Sequence, residues 1–469
     1  VGPELFKASE EGSKTSSEDD SEEGDSEDDP PSGLRCLNCN APVNANDSAC
    51  GVCGSSTFGA KSANSSSNKR RYIIVGAGIA GVTAAEQIRK NDPIGEIVLI
   101  TNEQRTPYYR LNLTRMLAGE VTEQNLPLHN DSWYKEQNIN LKTGATVTGL
   151  NVSEKTIDLQ TGETVHWDKL IIASGASPFV PPISGIKEYG TTLRTADDIK
   201  QLLSTMDKKQ SYAILGGGIL GLEIAGALAQ QGKSVTILEG FQWILPRQLN
   251  KEAAQEFESM LMEKFPKIKI VKNVKAKAFR ETSEGIVLDT ESGEPVTAEH
   301  FIITVGVRPD VEIFAKAGLK KERGLIVNDK LQTSHPDIYC CGDACEHRGM
   351  LYGTWAPAQQ QGTIAGKNAS GEIADYQGYP ISSLLKVVGI PMFSIGKTKA
   401  EDGSSRWITT KTAQAYQTFL LRDGIIEGAI LLKDSSSSAA VKAAIEQHIV
   451  FQETSPDELI KRLGTIKAL

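Results

Sequence analysis

From Arg71 onward, short apolar runs alternate with glycine turns and amphipathic stretches. Tyr72-Ile-Ile-Val75 is an apolar run of strand length. Gly76-Ala-Gly78-Ile-Ala-Gly81 follows, and then Ile79, Val82, Ala85 and Ile88 recur at the spacing that lines one helical face. A second run, Ile97-Val-Leu-Ile100, leads into a meander with a hairpin near Thr161-Gly-Glu163. The segment closes on Leu170-Ile-Ile-Ala-Ser-Gly175. The same order then repeats. Tyr212-Ala-Ile-Leu215 precedes Gly216-Gly-Gly218-Ile-Leu-Gly221, and Val235-Thr-Ile-Leu238 follows. Turn signals at Glu284-Gly285 and Ser292-Gly293 mark a second meander, which ends in Phe301-Ile-Ile-Thr-Val-Gly306. Strand–helix–strand units of this length build parallel sheets with crossover helices. The pattern therefore predicts an α/β chain with two Rossmann-like dinucleotide-binding domains.

Beyond about residue 378 the pattern changes. Ala415–Leu421 and Ile425–Leu432 read as strands, followed by two helices. The last helix begins at Ser455-Pro-Asp-Glu458, a capping box with proline in the first turn. This predicts a C-terminal α+β domain without a chemical motif of its own.

Charge separates the N-terminus from the rest. Residues 1–30 hold 12 acids against Lys7 and Lys14, a net of −10, while the remainder balances to +1. Like charge without apolar groups predicts a disordered acidic tail over 1–33. Nothing in the sequence points to nucleic acid. No apolar run approaches the roughly 18 residues that a membrane span needs. The polar, acidic start is neither a secretory signal nor a transit peptide, so the sequence as given, opening at Val1, predicts a cytoplasmic protein.

The seven cysteines fall in two groups. Cys36-Leu-Asn-Cys39 and Cys50-Gly-Val-Cys53 form two Cys-x-x-Cys hooks ten residues apart. Four thiolates at this spacing close a tetrahedron around one metal ion. The segment 34–57 has almost no apolar core, so the metal would hold it folded. A sulfur tetrahedron suits zinc and iron alike, and both remain open. The Ser/Asn-rich stretch that follows predicts a flexible linker over 58–70. Cys340, Cys341 and Cys345 read as small packed residues of a strand region.

The glycine turns carry the next piece of chemistry. In Gly76, Gly78 and Gly81 the first glycine allows a tight turn, the second a close approach of pyrophosphate, and the third close helix–strand packing. Phosphate then meets unpaired N–H groups at a helix N-terminus. Gly216, Gly218 and Gly221 repeat the device. The strand after the second turn ends in Glu239, whose carboxylate accepts from a ribose 2′-hydroxyl and repels a 2′-phosphate, which predicts NADH over NADPH. The matching position after the first turn is Thr101, and Glu103, two residues on, is the substitute acid.

Several further motifs keep a fixed order: Pro107-Tyr-Tyr-Arg110, Ala173-Ser-Gly175, Thr192-Leu-Arg-Thr195, Gly306-Val-Arg-Pro309, Cys341-Gly-Asp343 and Trp355-Ala-Pro-Ala-Gln-Gln-Gln-Gly362. With the glycine turns they make residues 71–400 resemble the glutathione-reductase-like flavoproteins. More narrowly the chain is similar to the NADH:rubredoxin and ferredoxin reductases and to the flavin portion of NADH-dependent nitrite reductases. The four-cysteine segment resembles bacterial zinc ribbons and the short rubredoxin-like domain of rubrerythrins.

The resemblance implies an FAD-binding domain over 71–190 and 302–377, an NADH-binding domain over 191–301, and the α+β domain over 378–469. It implies that Arg110, Ala173, Gly175, Arg194, Gly306, Gly342 and Asp343 belong to the cofactor sites, with Asp343 on the FAD ribitol. It places Glu223 beside the nicotinamide, Trp355 near the flavin ring, and Arg115 where some relatives have a lysine. Ile219 stands where some relatives carry a gating tyrosine, which implies that this gate is absent. A helix over Trp355–Asn368 would turn its positive end toward the flavin N1 edge. Residues 101–120 contain no cysteine, so the redox-active thiols of the disulfide reductases are missing.

The reading is an NADH:acceptor oxidoreductase. Hydride passes from NADH to FAD, and electrons leave for a rubredoxin- or ferredoxin-like carrier, with the chain's own four-cysteine segment as a candidate. Two other readings stay open. One is the flavin subunit of a nitrite-reductase-like assembly. The other is an NADH-sensing regulatory or assembly protein docked through a zinc ribbon.

Overall fold

The computed structural model describes residues 34–36, 48–49, 58–60, 69–291, 293–379, 382–385, 388–400, 403–452 and 455–466. The chain divides into two units, Val1–Asn68 and Lys69–Leu469. In the first unit Leu34–Cys36 pairs antiparallel with Phe58–Ala60, and Cys36 lies opposite Phe58. This ribbon reaches three residues into the stretch read as a linker, where Phe58-Gly-Ala interrupts the polar run. Cys39, Cys50 and Cys53 lie outside the described residues.

The second unit opens with β1 (Arg71–Val75), α1 (Ile79–Asn91) and β2 (Glu96–Ile100). A short helix α2 (Leu113–Leu117), β3 (Ile139–Lys142) and β4 (Lys169–Ile172) follow. The repeat brings β5 (Ser211–Leu215), α3 (Ile219–Gln230), β6 (Ser234–Leu238), β7 (Ile268–Val271) and β8 (His300–Ile303). The chain then returns through β9 (Ile338–Cys340) and α4 (Trp355–Ser370). Two parallel sheets result. The first has the order β9-β4-β1-β2-β3, and the second runs β8-β5-β6-β7, with Gly190–Thr191 added beside β8.

Parallel strands covered on both faces need apolar side chains at every position, not at alternate ones. Ile73, Ile74, Leu170, Ile171 and Ile172 are accordingly all fully buried, as are Ala213 and Ile214 of the second sheet. Removing one such isoleucine side chain would cost about 2–5 kcal/mol. β8 belongs wholly to the second sheet, because its apolar run continues through Ile303. The second-sheet region thus extends past the boundary read at 301. In each repeat a three-stranded antiparallel meander, 147–166 in the first and 276–298 in the second, is inserted before the parallel strand that closes the repeat, β4 or β8.

Two chain passages join the sheets. Ala176–Pro178 leaves the first and Val307–Pro309 leaves the second, and they pair antiparallel. Gly175 and Gly306, both singled out from the sequence, stand directly before these paired segments.

The C-terminal region forms an antiparallel sheet of order β10-β11-β14-β13-β12: β10 (Ser382–Leu385), β11 (Met392–Gly396), β12 (Ser405–Lys411), β13 (Tyr416–Arg422) and β14 (Ile425–Leu432). One face carries Met392, Tyr416, Ile430 and Leu432 into the core that holds Phe257 and Leu261. The other carries Phe393, Phe419, Leu421 and Leu431 against α5 (Ser438–Glu446) and α6 (Pro456–Leu463). Ser455 caps α6 by accepting from Glu458 N–H, which is half of the predicted capping box; the Glu458 carboxylate accepts from the Ser455 hydroxyl and not from its backbone N–H. Among the described residues no helix is long and apolar enough to cross a membrane.

Candidate functional site

The two glycine turns connect β1 to α1 and β5 to α3. Gly76 has φ +105° and Gly216 φ +115°, values that disfavour any side chain. A Cβ on Gly76 would stand 2.0 Å from the Ala173 carbonyl oxygen, and one on Gly216 2.7 Å from that of Thr304. Each turn is thus clamped against the strand beside it. Gly78 and Gly218 are the N-caps of α1 and α3, and neither helix receives a side-chain cap. Both therefore offer first-turn N–H groups to an anion, the donor set a pyrophosphate requires.

Around the first turn the charged residues form one network. Glu103 accepts from the Tyr108 hydroxyl at 2.7 Å and from Arg110 at 2.6 Å. Arg110 also donates to the Arg194 carbonyl at 2.5 Å. Arg194 reaches the Asp343 carboxylate at 3.0 Å. Burial pushes the Tyr108 hydroxyl pKa well up, so it stays a neutral donor. Glu103, Arg110, Arg194 and Asp343 are thus brought together, with Glu103 engaged on both oxygens. Asp343 sits in the short helical turn Gly342–Ala344, which Gln361 of α4 holds by accepting from Gly342 N–H at 2.9 Å. Uncapped N–H groups, two guanidinium groups and one carboxylate fit a flavin dinucleotide in this half.

The second turn is built around Glu239, which is buried at the end of β6. Its Oε2 accepts from Gly217 N–H at 2.8 Å and its Oε1 from Phe241 N–H at 2.9 Å. Each carboxylate oxygen can accept a second bond, so both can still take ribose hydroxyls.

The two halves meet where α2 packs on α3. Thr114 donates to Glu223 at 3.2 Å across this contact. Burial pushes the Glu223 carboxyl up to about 7, while the Thr114 hydroxyl pulls it back down. Arg115 does not join Glu223. It bonds Glu120 at 3.1 Å and Asn112 at 3.4 Å. The spacing along α2 explains this: Thr114 faces α3, and the next residue points toward solvent. Trp355, the first residue of α4, stacks on the half-exposed Tyr109 with ring centroids 5.3 Å apart and planes at 16°.

Sequence reasoning missed Thr114, Tyr109 and Gln361. Tyr109 and Gln361 lay inside quoted motifs, where the neighbouring charged or larger residue took the attention. Thr114 carried no signal apart from its place beside Arg115. Cys340, Cys341 and Cys345 are buried and free, as packed residues should be. Among the described residues no cluster of three or more metal-binding side chains occurs.

Comparison with known proteins agrees with this geometry. Residues 70–362 match the pyridine nucleotide-disulphide oxidoreductase family, and residues 382–449 match the rubredoxin NAD+ reductase C-terminal domain. The chain is 31% identical over 401 residues to a nitrite reductase (NAD(P)H) of Bacillus subtilis, covering 84% of this chain and 49% of that protein. It is 30% identical over 392 residues to the NADH-rubredoxin oxidoreductase of Clostridium acetobutylicum, covering 82% of this chain and 97% of that one. The crystal structure of NADH:rubredoxin oxidoreductase from the same organism superposes with a TM-score of 0.71 at 28% identity, over 84% of this chain and all of that one. The chain spans about half the length of the Bacillus nitrite reductase and of the Bacillus nitrate reductase electron transfer subunit. It belongs to the pyridine nucleotide-disulphide oxidoreductase family and carries the C-terminal domain of the rubredoxin NAD+ reductases.

Proposed function

We propose that the chain is an NADH-dependent FAD oxidoreductase that passes electrons to a protein carrier of the rubredoxin or ferredoxin type. The observation that carries this reading is the contact of Glu223 with Thr114, which joins the reactive ends of the two dinucleotide halves. FAD, when bound, accepts a hydride from a dihydronicotinamide and gives up electrons singly. The chain's residues supply the setting. The N-termini of α1 and α3 hold the two pyrophosphates. Arg110, Arg194 and Asp343 orient the flavin side, and Glu239 holds the adenosine ribose of NADH. Glu223, when ionised, stabilises positive charge as it develops on the nicotinamide ring. No cysteine stands in residues 101–120 to form a disulfide that could accept the flavin's electrons, so they pass to a separate acceptor.

Anaerobic mixing with NADH tests the reading: the flavin absorbance should bleach within seconds, and added rubredoxin should restore it as the rubredoxin is reduced. A flavin left yellow by NADH would remove the proposal. A second reading, the flavin portion of a nitrite-reducing assembly, draws on the similarity to the Bacillus nitrite reductase over half of that protein. It predicts nitrite reduction only when a partner with a haem or iron–sulfur centre is added. The four-cysteine segment is proposed to bind one zinc or iron ion through Cys36, Cys39, Cys50 and Cys53. Metal analysis decides between them, and a coloured, reducible iron site would make the segment itself an acceptor candidate.

A further inference from the structure

We infer that Phe241 is the aromatic wall on which the adenine ring of the dinucleotide stacks at the second glycine turn. The inference rests on the reading of that turn as the NADH site. Phe241 is 64% exposed and, with Tyr109, is one of two exposed aromatic residues among the large apolar side chains of the described residues. Single exposed apolar residues are ordinary. Phe241 differs in how firmly its backbone is held. Its N–H donates to Glu239 Oε1 at 2.9 Å, and its carbonyl accepts from Asn273 N–H at 3.0 Å. The backbone is thus tethered on both sides while the ring is left to solvent.

The tether also fixes where the residue stands. The other oxygen of the same carboxylate accepts from Gly217 N–H at 2.8 Å, inside the phosphate-binding turn. Phe241 and Gly217 therefore flank one carboxylate. The rest of the loop folds over the turn, with Leu245 N–H donating to the Gly217 carbonyl at 3.0 Å and Ile244 fully buried. A ribose whose hydroxyls reach Glu239 must carry its adenine within about a ring's width of that carboxylate. An aromatic ring carried beside this carboxylate on an already ordered backbone offers the adenine face a stacking partner, with no backbone left to order on binding. The matching stretch after the first turn, Asn102-Glu103-Gln104, has no aromatic residue. The device thus belongs to the second turn alone.

The test uses ADP-ribose, which has the adenine, ribose and pyrophosphate but no nicotinamide, with reduced nicotinamide mononucleotide as the complementary probe. Calorimetry on the flavin-loaded full chain should show Phe241→Ala weakening ADP-ribose about tenfold, within the range for loss of one base–aromatic stack. Phe241→Trp should bind at least as tightly as the parent. Flavin bleaching by reduced nicotinamide mononucleotide should be the same in all three, since that donor never reaches the wall. Unchanged ADP-ribose binding in Phe241→Ala, with the parent binding normally, would overturn the inference alone. A parent that binds no ADP-ribose would overturn the NADH reading with it. An equal loss with the mononucleotide would show a general disturbance of the domain and would also overturn the inference.

Discussion

The two glycine turns share a backbone and differ in what their acids do. Gly76 and Gly216 have nearly the same φ and each is clamped against a neighbouring strand. After the second turn, Glu239 binds only backbone N–H groups and keeps acceptor capacity for a ligand. After the first, Glu103 is held by Tyr108 and Arg110, and the network runs on through Arg194 to Asp343. The second acid is held by backbone alone and can add ligand bonds to those it already accepts, and the first is held by the protein's own side chains. This difference suits a substrate that comes and goes in one half and a cofactor that stays in the other.

Replacing the two leading glycines is the hardest test of that assignment. Gly76→Ala puts a Cβ 2.0 Å from a carbonyl oxygen at positive φ, and Gly216→Ala puts one at 2.7 Å. To relieve strain and clash each turn must shift, which displaces the first-turn N–H groups that would meet a pyrophosphate. Gly76→Ala should be purified without yellow colour. Gly216→Ala should keep its flavin and lose NADH binding by more than about a hundredfold, read by NADH titration of the flavin-loaded protein. The reverse outcome would exchange the roles of the two halves.

Glu239→Ser comes next. Losing a charge-assisted acceptor for ribose hydroxyls costs about 1.5–3 kcal/mol, and the repulsion against a 2′-phosphate disappears with it. The preference for NADH over NADPH, measured as a ratio of rates at limiting donor, should fall by about 10- to 100-fold.

Glu223 sits at the junction of the halves, and its effect is read through pH. Its carboxyl is raised to about 7 by burial. If the ionised form assists hydride departure, flavin bleaching should quicken as pH rises through about 7. Glu223→Gln should remove that inflection and slow bleaching at pH 8 by about tenfold, which is about 1.4 kcal/mol of transition-state stabilisation. Stability runs the other way. Above the ordinary carboxyl pKa the unfolded chain gives up its proton before the native chain does, so the native state loses stability as pH rises from that range to about 7. Glu223→Gln is spared this loss and should melt higher than the parent at pH 8, with the difference vanishing toward pH 4. A lower melting point at pH 8 would show that the carboxylate is satisfied, not desolvated.

Much of the fold was legible because parallel strands and glycine turns leave strong marks. Ile73-Ile74 and Leu170-Ile171-Ile172 are apolar without interruption because both faces of the sheet are covered. The C-terminal sheet was read only in part. Met392–Gly396 is buried on both faces but contains Ser394, whose hydroxyl is satisfied by the Gln248 carbonyl at 2.5 Å, so its apolar run looks broken. Ser405–Lys411 has only Trp407 and Ile408 as large apolar residues, and its exposed Thr409 pairs with Thr418 at 2.7 Å, so the strand carries a faint apolar signal. In the site, residue types marked Glu239, Asp343 and Glu223, while pairing remained invisible. That Arg115 turns to Glu120 and leaves Thr114 to meet Glu223 depends on which side of α2 faces α3, and a five-residue helix has too short a period to show it.

The smallest effect belongs to Glu103 and bears most directly on the contrast between the turns. If Glu103 held the FAD ribose as Glu239 is proposed to hold that of NADH, Glu103→Gln would release flavin as strongly as Glu239→Ser weakens NADH. The hydrogen bonds argue for a different role. Both Glu103 oxygens accept from protein side chains and Glu103 is the ion-pair partner of Arg110, which is held by Glu103 on one side and the Arg194 carbonyl on the other. Glutamine keeps one acceptor for Arg110 or Tyr108 and loses the charge. The guanidinium then keeps its anchor at Arg194 and is only partly released. Glu103→Gln should raise the FAD dissociation constant by only about three- to fivefold, the scale of one partly exposed ion pair, with no change in NADH affinity. Equilibrium dialysis against FAD reads the first quantity, and NADH titration of the loaded protein reads the second. A loss of FAD beyond about a hundredfold would make Glu103 a direct ribose ligand and would bring the two turns back to the same design.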